Sequence, residues 1–291
     1  MLAQFLQFLF SGMTSGAAYA LAALGFTIIY NTSGVINFAQ GEFIMLGGMF
    51  STALLSLGLP LPLAIALAII LTGVVGLIVG KFAIEPAKDA EVVTLIIITI
   101  GASLTMRGLV QVTLGKDNHA LPAFSGDTPI RVLGASLLPQ SLWVLGVAMV
   151  IVAILGWFFG KTLLGKAMLA TSYNKLAARL VGVNTRLILL LSFGLSAVLG
   201  AVGGVILAPI TYTSYDIGIM LGLKGFVAAV LGGLGGGVGA IAGGLILGIA
   251  EAMAAGYISS AYKDAMPFVL ILLILFFRPA GLFGAKTTER V

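Results

Sequence analysis

The sequence predicts an all-α polytopic membrane protein of about eight transmembrane helices, of which one or two are broken or re-entrant. Two properties of the composition support this class: 60% of the 291 residues are hydrophobic, and only 9% are charged. Soluble domains carry roughly 25% charged residues, so this chain cannot cover a water-exposed surface. Disordered chains are polar and rich in charge, which excludes that class too.

Long uncharged runs place the membrane crossings. A helix needs about 20 apolar residues to span a hydrocarbon core of about 30 Å. The run 43–80 is too long for one helix and contains the turn signal SLGLPLP at 56–62, so we divide it in two. Arg107 is expected to snorkel toward an interface and so to lengthen its run. The predicted crossings lie near residues 6–30, 41–57, 62–82, 92–114, 138–160, 187–208, 224–255 and 265–280.

Basic residues predict which segments face the cytoplasm. Residues 161–186 contain five of the chain's 15 basic residues: Lys161, Lys166, Lys175, Arg179 and Arg186. The positive-inside bias makes this segment a cytoplasmic loop, and the tail 278–291 is assigned to the cytoplasm for the same reason. The two segments face the same side only if an even number of crossings separates them. The predicted crossings between them number three, so we predict that the helix at 224–255 is broken and turns at the glycines of 232–237. Such a break is tolerated only inside protein or beside a water-filled cavity.

The sequence offers no constellation for catalysis or metal binding. There is no cysteine and a single histidine, His119, which excludes Cys-ligated metals and His clusters. The tripeptide GKT at 160–162 lacks the upstream glycine of a P-loop, because Leu155 stands at that position. We therefore expect a protein that is not an enzyme, with no cofactor, no metal and no nucleic-acid partner.

A polar, glycine-bounded element between the first two apolar spans contains candidate pathway residues. The segment GVINFAQGE at 34–42 includes Asn37, Gln40 and Glu42. A charge at the bilayer centre costs roughly 2.5–3.5 kcal/mol on insertion scales, so it normally faces protein or water. Two interpretations of Glu42 stay open: its carboxylate caps a helix start, where the dipole favours an acid, or it lies on a broken helix that lines a transport pathway. Glu251 is expected at a membrane interface.

The basic loop is predicted to contain a short amphipathic helix within residues 170–184. Gly182 is expected to end this helix, and Asn184 or Thr185 to cap the next one. A cationic amphipathic helix can lie on anionic membrane lipid or dock into a groove of a soluble partner, and both interpretations stay open. Its apolar row and its basic row are Leu176, Leu180 and Val183, and Lys175 and Arg179.

Glycines also recur at four-residue spacing within the apolar runs. In lipid the hydrophobic effect contributes little to the association of helices. Glycine pairs at this spacing let two helix backbones approach closely, so van der Waals packing can hold the helices together. Tight packing inside the chain and association between subunits are both consistent with the pattern. The pairs are Gly12/Gly16, Gly76/Gly80, Gly156/Gly160, Gly200/Gly204 and Gly232/Gly236.

Four segments resemble a known family, in order and over nearly the whole chain. They are GVINFAQGEFIMLGG at 34–48, GKAMLATSYNKLAARLVGVN at 165–184, GLKGFVAAVLGGLGGGVGAIAGGLILGIAEAM at 222–253, and the ending at 262–284. They are similar to the branched-chain amino-acid ABC permeases of the LivH type. Many members carry histidine where this chain has Gln40 and aspartate where it has Asn174.

The resemblance implies one subunit of a prokaryotic importer in the plasma (inner) membrane. Two permeases, of LivH and LivM type, would form the pathway with two cytoplasmic ATPases and an extracytoplasmic substrate-binding protein. Asn37, Gln40 and Glu42 would lie near the pathway. The loop would contact an ATPase through Gly165, Lys166, Asn174, Lys175, Arg179 and Gly182.

The resemblance also implies the substrate class, which is branched-chain or other neutral amino acids. The same family includes urea and short-chain amide permeases, and these are the alternative. A self-sufficient channel or ion-coupled carrier, with Glu42 as its proton or ion site, is a further hypothesis from a different class.

Overall fold

The computed structural model describes residues 2–87 and 90–284, and within them the chain is almost entirely helical. The predicted tail residues Lys286, Glu289 and Arg290 lie outside the described residues. The helices and strands, in chain order, are α1 (Leu2–Ser33), α2 (Gln40–Ser56), α3 (Leu61–Ile78), α4 (Val92–Thr113), β1 (Ile130–Val132), β2 (Ala135–Leu137), α5 (Pro139–Lys161), α6 (Leu163–Tyr173), α7 (Lys175–Leu180), α8 (Thr185–Thr211), α9 (Ile217–Gly232), α10 (Gly237–Tyr257) and α11 (Met266–Phe277).

Six helices in the described chain are long and apolar enough to cross a membrane: α1, α3, α4, α5, α8 and α10. α3 reaches this length because it continues through a π-helical stretch, Val79–Ile84, and a 3₁₀ turn, Glu85–Ala87. α9 and α11 are shorter apolar helices. The all-α polytopic membrane fold is confirmed. Most predicted helix ends agree with the observed ones to about one turn, but α9 begins at Ile217, seven residues before the predicted start at 224.

The predicted crossing at 224–255 is a pair of antiparallel helices. α9 ends at Gly232 and α10 begins at Gly237, the glycines at which the sequence predicts a break. Gly232 packs on Gly239, and Lys224, further from the turn, pairs with Glu251. Four helices, α8 to α11, therefore separate the basic loop from the C-terminal end of the described chain. This is the even number that the positive-inside argument requires.

α1 is the central helix of the bundle and packs against α2, α5, α8, α9 and α10. Its glycines allow the closest of these contacts, because a Cβ added at Gly12 would lie 2.6 Å from the Cα of Ile249 on α10. A Cβ at Gly200 of α8 would likewise lie 2.8 Å from the Cβ of Phe43 on α2. Most of the glycine pairs thus serve packing inside this chain.

The pair Gly156/Gly160 on α5 differs from the others. No atom lies within 4 Å of a Cβ added at either glycine, so both face open space in the described chain. For this pair, association with another subunit stays a prediction.

The segment between α1 and α2 doubles back into the bundle. The Ser196 hydroxyl of α8 contacts both the Gly25 carbonyl oxygen of α1, at 2.9 Å, and the side chain of Gln40 at the start of α2. Gly25 lies eight residues before the end of α1 at Ser33, which is about 12 Å along the helix axis. α2 therefore begins well inside the bundle, after a turn at Gly34 with φ of +75°.

Candidate functional site

A polar cluster surrounds the first turn of α2. Glu42 is 1% exposed, and its Oε1 accepts a hydrogen bond from Ser103 Oγ at 2.8 Å and from Arg107 Nη2 at 2.6 Å. Ser103 and Arg107 are one turn apart on α4, so the cluster joins α4 to α2. The prediction that Arg107 snorkels to an interface is wrong, because a buried carboxylate that needs a countercharge holds its guanidinium in the bundle.

This geometry bears on both interpretations of Glu42, as an acid at a helix start and as a residue of a transport pathway. Its position in the first turn of α2 is the one at which the helix dipole favours an acid. The carboxylate also forms an ion pair that the sequence did not predict. Its second oxygen, Oε2, has no hydrogen-bond partner in the described chain. The cluster is thus stabilised mainly through one carboxylate oxygen.

Gln40 and Asn37 organise the re-entrant segment. Gln40 Nε2 donates to the Ser196 carbonyl oxygen at 3.2 Å, and its Oε1 accepts from the Ser196 hydroxyl. Asn37 Oδ1 accepts from the Ala39 amide at 3.1 Å, which is an Asx turn that leads into α2. Both side chains are 0% exposed. Like Glu42, they are enclosed by protein, so contact with a solute would require the helices around the start of α2 to separate. Their role in the pathway stays a prediction.

A second buried ion cluster, which the sequence did not predict, lies on α9. Lys224 Nζ donates to Glu251 Oε1 of α10 at 2.8 Å and to Asp264 Oδ1, before α11, at 2.7 Å. The ammonium also lies 5.7 Å from the centre of the Tyr19 ring of α1, in cation–π geometry. Glu251 is 1% exposed and thus enclosed by protein, and its position at a membrane interface stays a prediction. Lys224 therefore connects α9 with α1, α10 and the turn before α11.

The signal for this cluster was present in the sequence. Lys224 is a lysine within a 16-residue apolar helix, and charges in such segments pair with one another. Its acidic partners could not be identified, because they are 27 and 40 residues away in the chain. The Lys224 ammonium, by its hydrogen bond, holds the pKa of the exposed Asp264 carboxyl below its usual range.

The basic loop forms a helical hairpin that folds back on the end of α5. The Thr162 hydroxyl caps α6 by accepting from the Gly165 amide at 3.0 Å. Gly165 is buried, and a Cβ added there would lie 2.7 Å from the Cα of Phe159. A glycine is therefore required for α6 to pack this closely on α5.

The short helix predicted within 170–184 is α7, and Asn174 separates it from α6. α6 ends at Tyr173, and the Asn174 side chain accepts from the Ala177 amide at 2.9 Å to cap α7. An N-cap residue has non-helical backbone angles, so a helix cannot continue through it. Gly182, at φ of +90°, ends α7 as predicted. Asn184 caps α8, also as predicted, by accepting from the amides of Arg186 and Leu187.

The hairpin of α6 and α7 presents cations and apolar side chains to its surroundings. Its basic residues are exposed, and within residues 2–87 and 90–284 none of them pairs with an acid. Leu176 is 68% exposed and Leu180 82%, so these two residues of the predicted apolar stripe do not pack on this chain, whereas the third, Val183, packs against its core. Arg179 is oriented by its Nε, which donates to the Thr185 hydroxyl at 2.8 Å. The exposed basic residues of the loop are Lys161, Lys166, Lys175, Arg179 and Arg186.

Comparison with known proteins identifies the family. Residues 8–275 match the family described as "Branched-chain amino acid transport system / permease component". The chain belongs to this permease family. It is 35% identical to the high-affinity branched-chain amino acid transport system permease protein LivH of Escherichia coli K12, over 99% of this chain and 98% of that protein. It is 33% identical to BraD of Pseudomonas aeruginosa, with the same coverage.

A solved structure supports the fold of the permease. PsaBC from Streptococcus pneumoniae, in complex with Fab, matches with a TM-score of 0.55 over 96% of this chain and 97% of that chain, at 14% sequence identity. The permease is a multi-pass protein of the plasma membrane. Its family is one of transport permeases rather than of enzymes, and members work with ATPase and substrate-binding partners.

Proposed function

We propose that the permease forms half of an ATP-driven import pathway for branched-chain or other neutral amino acids. The observation that carries the proposal is the hairpin of α6 and α7, with its exposed unpaired cations beside exposed leucines. Two cytoplasmic ATPases, a second permease of LivM type and an extracytoplasmic substrate-binding protein complete the complex. Family membership supports this assembly.

The hairpin is suited to transmit motion because its geometry is fixed at several points. Thr162 caps its first helix, Asn174 caps its second, and Gly182 ends it in a Schellman motif. In that motif the Gly182 amide donates to the Arg179 carbonyl at 3.0 Å and the Val183 amide to the Ala178 carbonyl at 3.0 Å. A rigid cationic surface favours an acidic cleft on a protein partner, and Lys166, Lys175 and Arg179 supply the charges in the loop from Gly165 to Gly182.

The experiment is ATP-driven leucine uptake by the reconstituted complex with Arg179→Glu. Charge reversal places an acid against the proposed acidic cleft, so uptake and leucine-stimulated ATP hydrolysis fall together. Arg131→Glu is the matched control, because Arg131 is an exposed arginine of β1, outside the hairpin. Normal uptake by an intact complex with Arg179→Glu contradicts the coupling role. Urea or an amide transported in preference to leucine selects the alternative substrate class.

The carrier hypothesis makes a separate prediction. A proton or ion site needs a carboxylate that is available to its ion, whereas one oxygen of Glu42 is already occupied by the Ser103 hydroxyl and the Arg107 guanidinium. Leucine uptake by the purified chain alone, driven by an ion gradient, would support the carrier and contradict the importer.

We infer that α2, α9 and α11 complete the crossings supplied by the six long helices. α2 has 17 residues and begins within the bundle, and α9 and α11 have 16 and 12. These lengths fit partial or re-entrant crossings, since about 20 residues are needed for a full one. With α9 and α10 counted as two crossings, as their antiparallel packing requires, the total is nine, one more than the eight predicted crossings. Cysteine labelling at the ends of α9 tests this arrangement.

A further inference from the structure

The helices before and after the hairpin of α6 and α7 form two repeats of the same order. α1 to α4 make the first repeat and α8 to α11 the second, and in each a long helix is followed by a short one, of 17 or 16 residues. The linker after the short helix has four residues in both repeats, 57–60 and 233–236. α8 is antiparallel to α1, because Ser196 contacts Gly25 whereas Gly203, further along α8, lies beside the earlier residue Leu21.

The two short helices meet at their N-terminal ends. Gly41 of α2 packs on Gly218 and Gly222 of α9, and a Cβ added at Gly222 would lie 2.9 Å from the Cα of Gly41. Thr213, before α9, lies beside Gly48, further along α2, so this part of the second repeat is also reversed. Repeats of inverted orientation, with discontinuous helices at their interface, occur in transporters whose two parts rock against each other.

The first helix of each repeat packs on the other repeat. α1 packs far more extensively on α9 and α10 than on α2, the helix that follows it, and α8 packs extensively on α2 and α3. Glu42 and Arg107 join α4 to α2, and Lys224 and Asp264 join the turn before α11 to α9. The eight helices therefore divide into an α8 body, made of α2, α3, α4 and α8, and an α1 body, made of α1, α9, α10 and α11.

Each buried ion cluster lies within one of these bodies. Glu42 and Arg107 are in the α8 body, and Lys224 pairs with Glu251 and Asp264 in the α1 body. Separation of a buried ion pair leaves charge uncompensated in the interior, which is costly. The clusters therefore favour movement of each body as a rigid unit.

The contact between the bodies is of a different kind. Leu21 of α1 belongs to one apolar cluster with Val202 and Ile206 of α8, and the short helices meet through glycines. The Ser196 hydroxyl, which donates to the Gly25 carbonyl oxygen at 2.9 Å, adds a single uncharged hydrogen bond. Packed helices with small or apolar contact residues can shift past one another, so this surface suits movement between the bodies.

The hairpin of α6 and α7 contacts both bodies. α6 packs on α1 and on α8, and α7 packs on α8. A cavity of 330 Å³ lies between α6 and the α1 body, with Met168 and Leu169 on one side and Leu24 and Asn31 on the other. This cavity leaves room for α6 to move against α1 while α7 stays on α8.

We propose that transport moves the α8 body against the α1 body along the α1–α8 and α2–α9 contacts. The hairpin drives this movement, because it is the element that an ATPase would contact and it packs on the first helix of each repeat. Both ion clusters stay intact throughout the cycle. The inference rests on the proposed function, since it assigns the movement to ATP-driven import.

A disulfide between the bodies tests the movement, and the chain has no cysteine of its own to interfere. A Cβ added at Gly203 would lie 3.9 Å from the Cβ of Leu21, within the range of about 3.5–4.5 Å that a disulfide spans. Complex with Leu21→Cys and Gly203→Cys is expected to lose ATP-driven leucine uptake on oxidation and to regain it with a reductant. Equal uptake by the disulfide-linked and the reduced form overturns the proposal.

A disulfide inside one body is the matched control. A Cβ added at Gly80, in the continuation of α3, would lie 3.1 Å from the Cβ of Phe193 on α8, so a small relaxation permits a bond within the α8 body. Complex with Gly80→Cys and Phe193→Cys is expected to import leucine equally well when oxidised and when reduced. Comparison of the two forms of one variant removes the effect of losing the phenylalanine.

Distances between spin labels test the movement without a cross-link. Leu57, just after α2, and Ile258, just after α10, are exposed and belong to different bodies. The distance between labels at these residues is expected to change when the complex binds ATP, whereas the distance between Leu57 and the exposed Val112 of α4, within the α8 body, stays constant. An unchanged distance between Leu57 and Ile258 overturns the proposal, whether or not the disulfide forms.

The two proposals fail differently. Wild-type complex that imports leucine with ATP but shows no change in the distance between the bodies overturns the movement alone. Wild-type complex that imports no amino acid overturns the proposed function, and with it the assignment of this movement to import.

Discussion

Replacement of Gly165 by alanine is the most direct test of the proposed coupling hairpin. A Cβ at this residue would lie 2.7 Å from both the carbonyl carbon of Phe158 and the Cα of Phe159. Carbon atoms in favourable contact are about 3.5–4.0 Å apart, so α6 must move away from α5 by about 1 Å. Overpacking of this kind costs about 1–3 kcal/mol.

Gly165 is where the hairpin packs on α5, so the substitution shifts α6 relative to α5 at the start of the hairpin. If the packed position of α6 becomes less favourable by about 1.4 kcal/mol, its population falls about tenfold relative to the displaced one. We therefore expect Gly165→Ala to reduce leucine-stimulated ATP hydrolysis and leucine uptake by about tenfold. The assay is reconstituted complex with matched protein content.

Gly146→Ala is the matched control for this experiment. Gly146 also lies on α5, and no atom lies within 4 Å of an added Cβ. Alanine favours a helix over glycine by up to about 1 kcal/mol, so this variant should be unchanged or slightly more stable. Equal uptake by Gly165→Ala and wild type, with both complexes intact, would refute the reasoning that α6 must pack on α5 for coupling.

Three further predictions concern the end of the hairpin and the two ion clusters. Gly182→Pro should destabilise the hairpin by about 3 kcal/mol or more, because proline cannot adopt φ of +90° and loses the amide that donates to Arg179. The measurement is the rate of proteolysis within the hairpin, which should rise; an unchanged rate would contradict this. Glu42→Gln should lower the free energy of unfolding by about 3–5 kcal/mol, because Arg107 then lacks its acid. The double variant with Arg107→Gln should recover most of the loss. Strictly additive losses would argue against the ion pair. Since the pKa of Asp264 is lowered from 3.8, its stabilising contribution is present above that value and is lost as pH falls through the folded pKa. The melting-temperature difference between wild type and Asp264→Asn should therefore shrink in acid, and a constant difference would contradict the assignment.

The helices were predictable because lipid imposes a strong rule on sequence. Spanning segments must be apolar and about 20 residues long, so their ends are read from charges and turn residues. The break after Gly232, where Gly233 and Gly235 have positive φ, and the helix end at Gly182 followed from glycine, which adopts positive φ without strain. These features depend on residues close together in the chain, and the structure confirms them.

The polar clusters were not predictable to the same extent. Arg107 was assigned to an interface because its partner Glu42 is 65 residues earlier and on a different helix. The cap at Asn174 was not predicted, because the basic and apolar rows begin after it, at Lys175 and Leu176, and the side-chain hydrogen bond that starts α7 is not visible in such a pattern. Pairings of this kind depend on which helices are neighbours, and helix spacing alone does not determine that.

The re-entrant segment before α2 has a consequence for the biogenesis of the protein. The partners of Glu42 and Gln40 lie 61 to 156 residues later in the chain, on helices that leave the ribosome after α2. During synthesis these polar side chains must first be sheltered by water, by the insertion machinery or by the membrane interface. α2 can reach its final depth once α4 and α8 have been inserted, so this element completes its insertion late although it is made early.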